Sequence, residues 1–162
     1  MNLKNCIPVL FVKDAGISKK FYTGLLKFTV VMDNGGTNLT FKEGFAVWQV
    51  WPDNIIPKTL GAENITNQNN TSRFELCFET NDIDQTYRTL KENDVKFLHE
   101  INTEIWGQQT IRFYDPDGHL IEVGEEASIF LKRIYEEEGK NLEATARRTF
   151  MPIDALKHFV LE

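Results

Sequence analysis

Ile111-Arg112-Phe113-Tyr114-Asp115-Pro116-Asp117-Gly118-His119-Leu120-Ile121-Glu122-Val123-Gly124 decides how this chain is read. Two β-rich runs flank an Asp-Pro-Asp-Gly turn. Pro presets φ, Asp bonds nearby backbone, and Gly accepts the φ that closes the bend, so the stretch is a hairpin. Glu122 follows the turn on the returning strand. Strand alternation puts it on one face with Leu120 and, across the hairpin, with Phe113 and Ile111. A carboxylate in an apolar row is costly without a partner, which makes Glu122 the residue to explain.

Outward from this hairpin the chain repeats itself. Residues 7–12 read as a strand, Lys13-Asp14 as a turn, and Ile17, Phe21, Leu25 and Phe28 as a helical stripe. In the second half Glu75–Thr80 reads as a strand, Asn81-Asp82 as the turn, and Ile83, Tyr87 and Leu90 as the stripe. Asp14 and Asp82 are 68 positions apart, as are Ile7 and Glu75. Three strands follow each helix: 28–33, 38–42 and 45–51 in the first half, 95–100, 110–114 and 119–124 in the second. Each half is therefore βαβββ.

The duplicated βαβββ order, the segment Val12-Lys13-Asp14…Phe21-Tyr22…Leu25-Leu26-Lys27-Phe28 and the Asp115-Pro-Asp-Gly-His turn resemble the vicinal-oxygen-chelate superfamily. That superfamily includes the glyoxalase, bleomycin-resistance and extradiol-dioxygenase proteins. The resemblance spans roughly residues 5–125. It implies an α+β fold of two βαβββ modules, about 5–51 and 72–125, forming a curved mixed-sheet cup. Lys27 departs from the pattern, standing where members usually have Gly. Residues 52–71 read as a polar linker, long enough to suggest a lid or disorder. Residues 126–162 read as three helices beyond the paired modules: a stripe at Ile129, Phe130, Ile134 and Tyr135 ended by Gly139, then 141–148, then 149–160 with Pro152 near its start. This tail is either a helical appendage over the sheet or a dimer interface, or it is a helix-turn-helix that makes the protein a regulator.

In metal-dependent members four side chains at fixed strand positions hold the ion. The resemblance assigns those positions to Ile7, Gln49, Glu75 and Glu122, with Val47 or Trp51 as alternatives to Gln49. Ile7 offers no ligand atom, and Glu75 stands in place of a usual His. Glu75, Glu122 and Gln49 as a metal set would suit Mg or Mn better than Zn, with Ni also open. Alternation puts Glu75, Cys77 and Glu79 on one face of their strand, opposite Phe74, Leu76 and Phe78. Carboxylates gathered there repel unless a cation stands between them: a metal, a cationic ligand, or an internal Arg such as Arg73 or Arg112. A simple Glu–Arg pair is the plain structural reading.

Aromatics near the expected cup include Phe11, Phe41, Phe45, Trp48, Trp51, Trp106 and Phe113, most of which read first as ordinary core, with Trp106 set apart by its loop. A ligand pocket is expected from Phe11, Glu79, Trp106, Gln108 and Phe113, because stacking and cation–π attraction hold flat or cationic molecules. Trp106-Gly107-Gln108-Gln109 leads into the signature hairpin, where Gly allows close approach. His119 reads as turn stabilisation, His99 as a rim residue and His158 as solvent-facing. No Ser-His-Asp triad, phosphate-cradling Gly loop or Cys-x-x-Cys pair is present.

Three functions follow as expectations. The first is a small-molecule-binding protein with a carboxylate- and aromatic-lined cup. The second is a divalent-metal lyase or isomerase that stabilises an enediolate, with Glu75 and Glu122 as catalytic residues. The third is a regulator that uses its tail on DNA or a partner. Composition narrows these. A net charge of −6 disfavours nucleic acid and anionic membranes. No apolar run approaches the roughly 18 residues that span a bilayer. Cys6 and Cys77 have no framework spacing and read as reduced, buried cysteines of a cytoplasmic protein, and the N-terminus lacks the apolar region of a signal peptide. A homodimer is expected from the superfamily and from the stripe at Ile129–Tyr135.

Overall fold

Each half of the chain opens with a strand that an aspartate turns into a helix. The computed structural model describes residues 7–51, 55–61 and 74–161. Strand β1 (Val9–Val12) runs to Asp14, whose carboxylate accepts from Gly16 N at 2.7 Å and Ile17 N at 3.0 Å. That N-cap satisfies amides which the first helical turn leaves unpaired. Helix α1 (Ala15–Lys19) follows and widens into a π-helical stretch, Lys20–Leu25. Strands β2 (Val30–Asn34), β3 (Asn38–Phe41) and β4 (Ala46–Gln49) complete the first module. The second repeats it. Asp82 caps helix α3 (Ile83–Glu92), accepting from Gln85 N at 2.8 Å, between strand β5 (Glu75–Thr80) and strands β6 (Phe97–Thr103), β7 (Gln109–Tyr114) and β8 (Leu120–Glu125).

The two sheets have the same order, β1-β4-β3-β2 and β5-β8-β7-β6, with β1 parallel to β4 and the β2–β3, β3–β4 and β6–β7 pairs antiparallel. The repeat read from Asp14 and Asp82 is therefore a repeat of topology. The connection between the modules, expected as a polar linker, contains a short helix α2 (Ile55–Leu60). Cys6, Arg73 and most of that connection lie outside the described residues.

The chain divides into two compact units, Met1–Glu75 with Tyr114–Leu120, and Leu76–Phe113 with Ile121–Glu162. In the first, Tyr22 sits fully buried among Phe21, Phe28, Phe41 and Phe45 at ring-centroid distances of 5.0–6.1 Å. Its hydroxyl donates to Asp115 Oδ2 at 2.8 Å. Asp115 also accepts from His119 N at 2.8 Å, His119 Nδ1 at 2.9 Å and Asp117 N at 3.0 Å. The Asp-Pro-Asp-Gly signature is thus held by a buried carboxylate with four donors. Burial raises the Tyr22 hydroxyl well above its ordinary value, and the Asp115 carboxylate adds to this. Lys27, the departure from the resemblance, takes φ +60°, the left-handed backbone that Gly would adopt without a Cβ clash.

In the second unit Phe97 links Tyr87 of α3 to Phe113 of β7, at 5.4 and 6.4 Å between rings. Ile111, Phe113, Ile121 and Val123 are buried. Three further helices extend this unit: α4 (Ala127–Glu137), α5 (Leu142–Thr149) and α6 (Ile153–Val160). Asn141 caps α5 through Ala144 N at 3.0 Å, and Gly139 ends the α4 segment at φ +64°. Phe130, Leu131, Ile134 and Leu156 form their core, with Trp106, Leu142 and Ala146 packed against it. No described helix is long and apolar enough to cross a membrane.

Candidate functional site

Glu122 has its partner, and it is not the apolar row expected from the sequence. On β7, buried Ile111 and Phe113 alternate with half-buried Arg112. On β8, buried Ile121 and Val123 alternate with half-buried Glu122. Closure of the turn explains the difference. Asp115 N donates to His119 O at 3.0 Å, so the pairing counts inward from 115 and 119 and sets Arg112 across from Glu122. A guanidinium Nη2 of Arg112 donates to Glu122 Oε2. The expectation that Glu122 shares a face with Ile111 and Phe113 is corrected: those two lie on the opposite, packed face.

Arg112 joins a larger group. Its Nη1 donates to Glu104 Oε1 at 2.9 Å and lies 3.3 Å from His99 Nε2. Thr110 Oγ1 also donates to Glu104 Oε1, at 2.9 Å. His99 Nδ1 is 2.7 Å from Glu100 O. This geometry fits an imidazole that donates through Nδ1 and accepts from Arg112 at Nε2. The side chains of Arg112, Glu104 and Glu122 are 20%, 16% and 15% exposed, so their mutual attraction is only partly screened. The hydrogen bond from Arg112 holds the Glu104 carboxyl below its ordinary value, against the upward effect of burial. Of the two arginines that the sequence offered as the internal cation, Arg112 fills the part at Glu122, and Arg73 lies outside the described residues.

On the same sheet, one ligand atom each from Glu75, Cys77 and Glu122 lie within 4.8 Å of one another. Glu75 and Glu122 are half-buried, and Cys77 is exposed rather than buried as its sequence context suggested. Glu79, also exposed, lies two residues further along β5 and is not in this group. Glu75 and Cys77 share a strand face because β5 alternates, as the sequence indicated.

The other expected residues fall elsewhere. In β1–β4 the registered pairs Leu10 with Val47 and Val12 with Gln49 place Gln49 on the face that carries the buried core, and Gln49 Oε1 accepts from Ala15 N at 3.1 Å. Phe11 pairs with Trp48 on the opposite face of that sheet, both half-buried. Ile7 is 44% exposed. Phe113 is completely buried. Trp106 packs on the C-terminal helical core, and its Nε1 donates to Gln108 Oε1 at 3.0 Å. Gln108 Nε2 donates to Glu125 O at 2.8 Å. Glu104 was not singled out from the sequence. The Trp106-Gly107 turn pairs Glu104 N with Gln108 O at 2.8 Å, which brings its side chain beside Thr110 and Arg112.

The donor set tests a metal directly. Two carboxylates and a thiol span a distance that one ion could bridge, but the set has no His, and Glu122 already receives a guanidinium. A divalent ion held by Glu75, Cys77 and Glu122 must compete with Arg112 for Glu122.

Residues 5–128 match the family model of the glyoxalase-like domain. A crystal structure of a protein of unknown function from Agrobacterium tumefaciens str. C58 is similar, with 31% identity and a TM-score of 0.64, covering 78% of this chain and 96% of that one. A member of the glyoxalase/bleomycin resistance protein/dioxygenase superfamily from Sphaerobacter thermophilus DSM 20745 matches at 24% identity and a TM-score of 0.57, over 77% of this chain and 98% of that one. A lactoylglutathione lyase from Agrobacterium tumefaciens matches at 19% identity and a TM-score of 0.54, over 77% and 96%. At these identities the last two show a common fold alone. No curated protein matches the chain. The family match stops at residue 128, so nearly all of α4 and the whole of α5 and α6 lie beyond it.

Proposed function

Since the chain belongs to the glyoxalase-like domain family, we propose that it is a small-molecule-binding member whose ligand meets the polar face of the second sheet. Arg112 is the observation that carries this reading. The carboxylate at the position where the resemblance implies a metal ligand, Glu122, is neutralised from within the chain. The ligand then has to interact with a formed ion-pair cluster, not with an open coordination site. Among the described residues of this face, the carboxylates of Glu104 and Glu122 take the guanidinium of Arg112, and Glu75 and Cys77 gather beside Glu122, so the face is built mainly of acceptor atoms. The ligand class that suits such a face is a cation or a donor-rich molecule, since an anion would meet like charge. In this reading Glu79 extends the same strand face at its exposed end, and Phe11 remains an aromatic residue of the other sheet's open face.

The test is isothermal calorimetry with a panel of primary amines and aromatic cations on the wild type and on Glu75→Gln. At least one compound should bind, and Glu75→Gln should weaken it about tenfold, the effect of one hydrogen bond to a charged group. A panel with no binder, or binders indifferent to Glu75, would overturn the proposal.

A second reading is favoured by the convergence of Glu75, Cys77 and Glu122 within 4.8 Å. There the three would hold a divalent ion, which when bound supplies Lewis-acid stabilisation of a developing oxyanion. Arg112 would then hold Glu104 alone, and Glu75 or Glu122 would position the substrate's proton. This reading requires Arg112 to release Glu122, and it is separated from the first by metal content.

A further inference from the structure

The helices beyond the family match reach back to the cluster through one loop. Residues 104–108 join β6 to β7 by a tight turn: Glu104 N donates to Gln108 O at 2.8 Å, and Gly107 N donates to Glu104 O at 2.8 Å. Helix α4 fixes this turn from the other side. Arg133 Nη2 donates to Gly107 O at 3.0 Å and to Glu125 Oε2 at 2.6 Å, while the same Glu125 oxygen accepts from Gln109 N at 2.8 Å. Ile134 lies so close that a Cβ built on Gly107 would stand 2.7 Å from Ile134 Cδ1, and Gly107 has φ +92°. Only glycine meets both conditions. Trp106, from the same turn, packs on the core of Phe130, Leu131, Ile134 and Leu156. The opposite end of the loop carries Glu104, whose carboxylate takes Nη1 of Arg112.

We infer that the C-terminal helices are a positioning element for the binding face. Arg133 and Ile134 of α4 set the 104–108 loop, the loop presents Glu104 to Arg112, and Arg112 is thereby aimed at Glu122. Neither Arg133 nor Ile134 touches the cluster, so they are positioning residues. The physical logic is the clamping of a guanidinium between two carboxylates. With Nη1 on Glu104 and Nη2 on Glu122, the planar group has one orientation. Release of Glu104 would leave Nη1 of Arg112 only its longer contact to His99 Nε2 beside the bond of Nη2 to Glu122, a weaker hold on the guanidinium that loosens the partner Glu122 now has. The consequence for ligand binding rests on the proposed function. The positioning itself does not, and it can be measured with no ligand present.

The experiment is nitrogen-15 NMR on full-length protein labelled at arginine. In the wild type Nη1 and Nη2 of Arg112 should give separate signals, because each is held by a different carboxylate and rotation about Cζ–Nε is hindered. Glu104→Gln defines the released state, with exchange between the two nitrogens faster by about tenfold, as expected for loss of one charge-assisted hydrogen bond. Arg133→Gln should move Arg112 toward that released state, and Arg133→Lys should restore part of the wild-type behaviour. Ile134→Val, which removes the methyl packed on Gly107, is a milder second variant that should shift the signals in the same direction. Thr149→Ala serves as the control. It removes a buried hydroxyl bond to Thr145 O within α5 and makes no bond to Arg133 or Glu104, so it should lower the melting temperature with the Arg112 signals unchanged. The inference is overturned if the Arg133 and Ile134 variants lose stability and leave Arg112 as in the wild type. It is equally overturned if Thr149→Ala perturbs Arg112 as much as they do.

Discussion

Replacing Arg112 with Met removes the charge that two partly buried carboxylates share while keeping much of the side-chain volume. Glu104 and Glu122 are 16% and 15% exposed, so neither can regain full hydration when the guanidinium is lost. Breaking a buried pair by deleting one partner costs about 3–5 kcal/mol. Residual exposure of these side chains discounts that, and we expect about 2–4 kcal/mol at pH 7.5. For a chain of this length this is a drop in melting temperature of roughly 5–15 °C. The pH dependence distinguishes electrostatics from packing. In the wild type the Glu104 carboxyl is held below its unfolded value, so its contribution is present above that value, about 4.3, and is lost as pH falls through the folded value. In Arg112→Met the uncompensated carboxylates are instead pushed up, so the variant regains stability as pH falls and they protonate. The two stability curves should therefore converge between about pH 6 and 4. The assay is urea unfolding at pH 7.5, 6.0, 5.0 and 4.0 with the m-value checked for constancy. Replacing all three residues together, Glu104→Gln, Arg112→Met and Glu122→Gln, should recover most of the loss, because no charge is then left unpaired. A loss under about 0.5 kcal/mol at pH 7.5, or one that is the same at every pH, would show that Arg112 does not compensate these carboxylates.

Two further perturbations address the first unit. Tyr22→Phe deletes one of the four donors on buried Asp115 and should cost about 1–3 kcal/mol in urea unfolding. Because the Tyr22 hydroxyl is raised in the folded state, its contribution is complete below about pH 10 and is lost as pH rises through the folded value. Alkaline unfolding should accordingly be less steep in Tyr22→Phe, and an unchanged slope would contradict the assignment. Lys27→Gly relieves a left-handed backbone worth about 1–2 kcal/mol but adds unfolded-state entropy of about 0.4–1, so a net gain of roughly 0.5 kcal/mol is expected from thermal or urea melts. A clear destabilisation would show that the bond from Lys27 Nζ to Gly24 O outweighs the strain.

The fold was legible because its signals are local and repeated. Asp14 and Asp82 mark strand-to-helix junctions by capping chemistry, and the Asp-Pro-Asp-Gly turn declares a hairpin by its own backbone preferences. Gly139 and Asn141 bound the first two terminal helices for the same reason, whereas the last helix starts at Ile153 and not at Thr149 as expected, because Thr149 still belongs to α5, Phe150 turns left-handed and Pro152 precedes the new first turn. The site was only half legible. Glu75 and Cys77 share a face by alternation within one strand, which sequence alone gives. Glu122 was assigned to the wrong row because its neighbours across the hairpin depend on how the turn closes, and a one-residue difference in register exchanges the two faces. Gln49 likewise lies on the face set by its pairing with Val12, where its side chain accepts from Ala15 N at the start of α1. Glu104 escaped because its role comes from tertiary pairing across the Trp106-Gly107 turn, with no local pattern of its own. Trp106 and Gln108 were read as possible ligand contacts from a glycine beside them. In the structure that glycine makes room for Ile134 of α4.

Glu122 takes the guanidinium of Arg112, where the resemblance implied a metal ion. Elemental analysis of the full chain purified without chelator, followed by titration with Mg, Mn, Ni and Zn, measures this most directly. Less than one ion per wild-type chain is expected, and Arg112→Met should raise divalent-ion affinity by freeing Glu122 to join Glu75 and Cys77. One tightly held ion per wild-type chain, lost in Glu122→Gln, would contradict it.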